Sequence, residues 1–225
     1  RVTYLLTDLR SEKDRPLFKG NCLNPTSENC KKIKQGTNFG SDEHIQWFKN
    51  QLLEAKNNNF AVVWHSSFPY LSAPDLSWFN CDEDNTIKTN EGFECDDHDN
   101  WGWYPEERTD IANFIKNNNI PVCIVSGDAH MSAIDDGTNS DYATGGGAPI
   151  PILHAGPLDR KPSIKGGPYS NGVSGVRGQY GIMEIIDNGG DELCVKWKIK
   201  NHKGEFVKNT TGDLLQHSFC FDLGE

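Results

Sequence analysis

The sequence predicts a layered α/β domain that ends in a β-rich segment. Strand and helix patterns alternate from Val2 through His154, the order expected of βαβ units packed on one sheet. From Gln179 to Glu225 the pattern changes to strand-like alternation broken by turns at Asn188-Gly189-Gly190 and His202-Lys203-Gly204. The chain has 225 residues, 36% of them hydrophobic, enough core for one domain, and residues 1–225 are read as a single domain.

The elements follow in order. Val2–Thr7 reads as a first strand, ending in Asp8-Leu9-Arg10. A polar loop is expected from Ser11 to Gly40. Ser41 is placed to cap a helix running to about Asn57, with Ile45, Phe48, Leu52 and Ala55 on one face. Phe60–Trp64 is a buried strand that ends in His65. Tyr70 to Trp103 is a long, aromatic and acidic insert of the kind that carries function or stays disordered. Pro105 suits the first turn of a second helix, where Glu106 and Glu107 face the positive end of its dipole. Asn117-Asn118-Asn119 stops it. Val122–Val125 is the next buried strand, and Ser126-Gly127-Asp128-Ala129-His130 turns away from its end. A short strand, Ile150–His154, follows. Gly156–Gly178 is a glycine-rich loop carrying Arg160, Lys161 and Lys165. Glu192–Lys200 and Gln216–Leu223 are late strands.

The formal charge is −10, which argues against a nucleic-acid partner held through its phosphates. No apolar run reaches the roughly 20 residues of a membrane span. There are seven cysteines. Cys22/Cys30 and Cys81/Cys95 each bracket a polar insert, Cys194 and Cys220 lie in the two late strands, and Cys123 lies within a buried strand. Three bridges and one buried thiol are the simplest arrangement, and they imply secretion or cell-surface display. Asn209-Thr210-Thr211 is a glycosylation sequon in keeping with that compartment. The chain opens directly on strand-like residues, the pattern of a processed or nicked piece of a longer polypeptide.

The chemistry concentrates where two buried strands end in histidine: Val62-Val63-Trp64-His65 and Gly127-Asp128-Ala129-His130. Open α/β sheets place ligands beyond the carboxyl ends of their strands. The pair Asp128 and His130 reads either as a metal site or as a loop hydrogen bond. Two such strand ends, separated by one crossover helix, favour the metal.

With both strand ends in view, the sequence resembles the metallophosphoesterases, and within them the PhoD-like alkaline phosphatases, where Asp replaces the first His of a G-H-x-H motif. Further segments carry the resemblance in order. These are Asp8-Leu9-Arg10-Ser11; Phe39-Gly40 with Gln46-Trp47-Phe48; Asp99 through Pro105 with Arg108; Asp135-Asp136-Gly137; Lys165 through Ser170; and Gln179-Tyr180-Gly181. The resemblance implies the C-terminal part of a calcineurin-like αββα sandwich. It also implies hydrolysis of phosphate mono- or diesters at two metal ions, iron and calcium by family resemblance. Zinc suits imidazole ligands as well as iron does. On this reading His65, Asp128 and His130 are metal ligands, with Asp128 and His130 at the reaction centre. Arg160 and Lys165, on the glycine-rich loop, read either as solvated surface charge or as the cations that receive the phosphate of a small-molecule substrate.

Other residues have plainer readings. Asp97 and His98 resemble a family metal motif but stand in the wrong order for it, which makes them the rim of the acidic insert. Arg10 is expected as a buried partner of Asp8 or Asp99 and His154 as a satisfied core histidine, while Asp135 and Asp136 read equally as a cation site or as an ordinary acidic turn. Trp101, Trp103 and Tyr104 are expected to pack. The family's first metal motifs have no counterpart here, so the chain is expected to supply about half of a two-metal site and to act with an N-terminal half of the same protein. The alternative is a catalytically inactive structural or binding protein on the same fold.

Overall fold

The computed structural model describes residues 1–11, 13–15, 17–20, 30–34, 36–72, 86–88, 93–95 and 101–224. In chain order the strands are β1 (Val2–Leu6), β2 (Leu17–Gly20), β3 (Cys30–Lys34), β4 (Ala61–Ser66), β5 (Thr86–Lys88), β6 (Phe93–Cys95), β7 (Val122–Ser126), β8 (Ser132–Asp135), β9 (Ile152–His154), β10 (Val173–Ser174), β11 (Gln179–Asp187), β12 (Glu192–Asn201) and β13 (Gln216–Asp222). The helices are α1 (Asp42–Asn57) and α2 (Pro105–Asn117).

The central sheet runs β1-β4-β7-β9-β8-β10. β1, β4, β7 and β9 are parallel, whereas β8 and β10 are antiparallel additions. Its two faces separate by strict alternation. Val62, Trp64, Val122, Ile124 and Ile152 join Phe48 and Leu52 of α1 and Ile111 and Ile115 of α2 in one core. Ala61, Val63, Cys123, Ile134 and Leu153 face the other way and pack on Leu193, Val195, Trp197 and Ile199 of β12. The result is three layers: helices, mixed sheet, and the antiparallel sheet β11-β12-β13. This is the α/β architecture with a β-rich end.

Both helices start where their sequence signals stand. The Ser41 hydroxyl accepts the His44 amide at 3.3 Å. Pro105 opens α2, where its fixed φ and missing amide hydrogen suit the first turn, and no side chain caps that end. Glu107 in its first turn accepts from the Thr37 hydroxyl and from the Asn38 amide at 2.8 Å, tying α2 to the approach to α1.

The two inserts differ from expectation. Rather than separate loops, they pair into a second antiparallel sheet, β3-β2-β6-β5, with Leu17 opposite Glu94 and Phe18 opposite Phe93. Strands this short carry too few alternating positions to stand out, and they pair across some 75 residues of chain. The Trp101–Trp103 turn beside them is buried. Trp101 contacts Trp64, Tyr70, Phe39 and Phe68, so the aromatic residues here pack, as expected. The Trp101 indole donates to Ser66 Oγ at 3.0 Å, so its one polar atom is satisfied.

Candidate functional site at the carboxyl edge of the parallel strands

Four parallel strands end together. Leu6 stands beside His65, His65 beside Val125, and Ser126 beside His154. The residues that follow these positions therefore share one sheet edge: Asp8 after β1, His65 at the end of β4, Asp128 and His130 after β7, and His154 at the end of β9. The crossovers through α1 and α2 bring them together, and the edge is where this topology places ligands.

The turn after β7 has its own internal logic. Ala129 and Met131 are buried in the helix-side core, which leaves Asp128 and His130 on the outer side of the same short stretch. Asp128 adopts a left-handed backbone with φ of 76°, uncommon for a residue with a side chain. The Ala129 amide donates to the Gly127 carbonyl at 3.0 Å and the Met131 amide to the Ala129 carbonyl at 2.8 Å, so the chain turns twice within five residues. The glycine-rich loop closes over it. The Ser163 amide donates to the His130 carbonyl at 3.0 Å, and the Lys165 amide contacts Met131 Sδ at 3.4 Å. Arg160 and Lys165 themselves are exposed on this loop.

His154 is fully buried and both ring nitrogens are engaged. Nε2 lies 2.9 Å from the Ala129 carbonyl and Nδ1 lies 2.8 Å from Ser126 Oγ. A carbonyl only accepts, so Nε2 carries the hydrogen and Nδ1 accepts from the serine hydroxyl. Burial pushes the ring pKa down to about 4, which keeps it neutral. His154 is thus the satisfied core histidine that the sequence suggested. His65 is half-buried, with its ring 6.0 Å from that of Tyr4, and burial lowers its pKa too. A neutral imidazole is the form that ligates a metal.

Arg10 departs from expectation. It is exposed rather than buried, and its guanidinium lies on the carboxylate of Asp128; its charge also favours the ionised form of Asp8, and Asp99 lies outside the described residues. Asp8 serves its own turn. Its carboxylate accepts from Ser11 and from the amide of Arg10, each amide at 3.0 Å, and these bonds hold its pKa down to about 2. Arg10 is the site residue that sequence reading missed: the acid on which its guanidinium lies is neither Asp8 nor Asp99 but Asp128, 118 residues away.

The donor types at the edge, two imidazoles and a carboxylate, suit a borderline metal ion. They do not close into a ligand cluster. Among the described residues, the set of three whose ligand atoms lie within 4.8 Å of one another is Glu192, Cys194 and Cys220. That set is no ion site as it stands, because Cys194 and Cys220 are bonded to each other.

No family model matches the chain, and no curated protein matches it. The chain is similar to a solved structure of PhoD. The identity is 14% and the TM-score 0.45, and the match covers 94% of this chain and 43% of that one. The chain therefore spans less than half the length of the structure it matches.

The remaining expected residues fall elsewhere. Cys194 and Cys220 form the expected bridge, directly opposite each other on β12 and β13, and Cys123 is a buried unpaired thiol. The pairings Cys22–Cys30 and Cys81–Cys95, and the pair Asp97 and His98, fall outside the described residues. Asp135 is fully buried and holds the turn that follows it; its carboxylate accepts from Asn139 Nδ2 at 2.7 Å and from the amides of Ser170 at 2.9 Å and Gly137 at 3.0 Å. Asn209 Nδ2 donates to the Asn171 carbonyl at 3.0 Å, so the sequon asparagine also ties the β12–β13 connection to the loop before β10.

Proposed function

We propose that this chain is part of a metal-dependent phosphoesterase of the alkaline phosphatase D type, acting on phosphate mono- or diesters. The observation that carries the reading is the placement of His65 and the Asp128–His130 turn at the carboxyl ends of the adjacent parallel strands β4 and β7. The ordered sequence motifs point the same way. His65, Asp128 and His130 are the residues that would hold an ion, iron, calcium or zinc. When bound, such an ion supplies an acidified water and polarises the phosphoryl oxygen. In this reading the chain keeps His65 neutral, presents Asp128 and His130 outward, and carries Arg160 and Lys165 on the loop attached to His130, to receive the anion against a net charge of −10.

The donor set is partial, and the reading includes further ligands from an N-terminal half of the same protein. Support comes from the outer edge of β1, where Tyr4 is 49% and Leu6 70% exposed. Strands of parallel sheets are ordinarily covered on both faces. Secretion or surface display, with Asn209 glycosylated, completes the proposal and draws on the Cys194–Cys220 bridge. Among the described residues no helix is long and apolar enough to cross a membrane.

The test is metal analysis of the intact protein together with hydrolysis of a chromogenic phosphate ester. Bound metal, and activity lost in His130→Ala, are expected. An intact protein that binds no metal at this edge overturns the reading. The second reading, an inactive structural or binding protein on the same fold, is favoured by one observation: Arg10 already neutralises Asp128. Activity in the wild-type protein excludes it.

A further inference from the structure

We infer that His154 is the positioning residue of the Asp128–His130 turn, acting through the backbone and never touching substrate; the role in chemistry rests on the phosphoesterase reading. One imidazole joins both ends of the turn. It accepts from Ser126, the last residue of β7, at 2.8 Å and donates to the carbonyl of Ala129, the residue between Asp128 and His130, at 2.9 Å. The ladder fixes where the ring starts, because Ser126 and His154 are opposite each other in the β7–β9 pair. The Ser126 carbonyl accepts the Ala155 amide at 3.0 Å, so the backbone beside the ring is pinned as well.

A simple core histidine would satisfy its nitrogens anywhere. This one spends its donor on the carbonyl that follows Asp128, the residue with φ of 76°. A left-handed non-glycine residue persists only when its surroundings over-determine it. Here they do so from three sides: Ala129 and Met131 are buried beneath, His154 holds the Ala129 carbonyl, and the Ser163 amide holds the His130 carbonyl from above. Remove the imidazole and the buried Ser126 hydroxyl loses its partner while the Ala129 carbonyl keeps only the Met131 amide, which favours relaxation of the turn toward ordinary backbone angles.

The experiment compares His154→Leu, His154→Gln and Ser126→Ala in the protein that carries this chain. Glutamine can both donate to Ala129 and accept from Ser126; leucine can do neither. Two readouts separate positioning from stability: hydrogen-exchange protection of the Ser163 amide relative to that of Ile124, and the affinity for cobalt(II), followed by its absorption spectrum. Leucine is expected to abolish Ser163 protection while Ile124 stays protected. It should also weaken cobalt(II) binding about ten- to a hundredfold, as loss of outer supports does at metal sites. Glutamine should restore most of both. A folded His154→Leu protein with unchanged Ser163 protection and unchanged cobalt(II) affinity overturns the inference. Should leucine prevent folding, Ser126→Ala decides by the same two measurements. A wild-type protein that binds no cobalt(II) overturns the metal reading alone, and Ser163 protection then settles the positioning role.

Discussion

Arg10, just beyond β1, lays its guanidinium on the carboxylate of Asp128, just beyond β7, bridging the mouth of the sheet edge across the end of β4. The pair is half exposed, with 43% and 24% of the two side chains accessible. Exposed pairs of this kind contribute about 0.2–1 kcal/mol. Their effect on charge is larger than their effect on stability, because the arginine competes with any cation for the same oxygen.

Arg10→Gln is therefore expected to change stability by less than about 1 kcal/mol and to strengthen divalent-cation binding. Asp128→Asn should weaken that binding. Calorimetric titration with cobalt(II) checks both. Weaker binding in Arg10→Gln would show that the arginine orients Asp128 for the ion and does not compete with it.

The buried histidines set an acid limit on the fold. His154 has an ordinary pKa of 6.5 when exposed and one of about 4 in place. Between these values the unfolded chain binds more protons than the folded one, so stability rises with pH across that window. It is fully present above about pH 6.5 and lost as the pH falls toward 4, a displacement worth about 3 kcal/mol. Burial acts in the same direction on His65 and His217. Glu107 opposes them, since burial raises its pKa and its protonation favours the fold. Urea denaturation at several pH values between 4 and 7 should show a steep loss in the wild type and a shallower one in His154→Gln. Equal slopes in the two proteins would remove His154 from the account.

The helices and the parallel strands were legible because local signals agreed with their tertiary fate. Ser41 caps α1 and Pro105 opens α2 at the expected places, and the all-apolar run Val122–Ile124 proved buried on both faces of the sheet. The strand-end histidines were legible for the same reason, since a buried parallel strand announces where it stops. What stayed hidden depends on long-range pairing. β8 and β10 are four and two residues long and take their place only by lying against β9 and each other. Arg10 meets Asp128 only after two crossovers. For His154 the sequence marked a core histidine; that its ring reaches the Ala129 carbonyl follows from the β7–β9 register, which no local pattern encodes.

The bridge between β12 and β13 closes a sequence separation of 26 residues on the outer face of the antiparallel sheet. Loops near that size give about 3 kcal/mol through constraint of the unfolded chain. Cys194→Ala with Cys220→Ala should lower stability by roughly that amount and leave the parallel edge unaffected, since Val195 and Trp197 hold the sheet to the core from the other face. Cys123 gives an internal control. It is fully buried, and burial pushes its pKa up to about 12. Mass spectrometry after iodoacetamide treatment should find it alkylated only once the chain unfolds; rapid labelling in the native protein would contradict its place between the two sheets.

Gly166 tests whether the glycine-rich loop is built to lie where it does. Its φ of 69° already disfavours a side chain, and a Cβ there would stand 2.1 Å from the Leu71 carbonyl oxygen. Backbone must move to admit it, because the atom in the way is not the tip of a flexible side chain. The same carbonyl receives the Gly167 amide at 3.3 Å, and the Tyr169 hydroxyl lies 3.4 Å from it, so a shift at Gly166 disturbs the whole attachment between the loop and the segment after β4. Gly166→Ala is expected to cost about 1–3 kcal/mol. It should also loosen the stretch from Ser163 to Lys165 that covers His130 and Met131, and so weaken binding of inorganic phosphate more than the stability loss alone would. Gly190→Ala is the matched control: it meets nothing within 4 Å and has no positive φ. Thermal unfolding and phosphate titration of both variants check the prediction. If Gly166→Ala lost stability but kept wild-type phosphate affinity, the loop would be a structural strap, and Arg160 and Lys165 on it would have no part in receiving the anion.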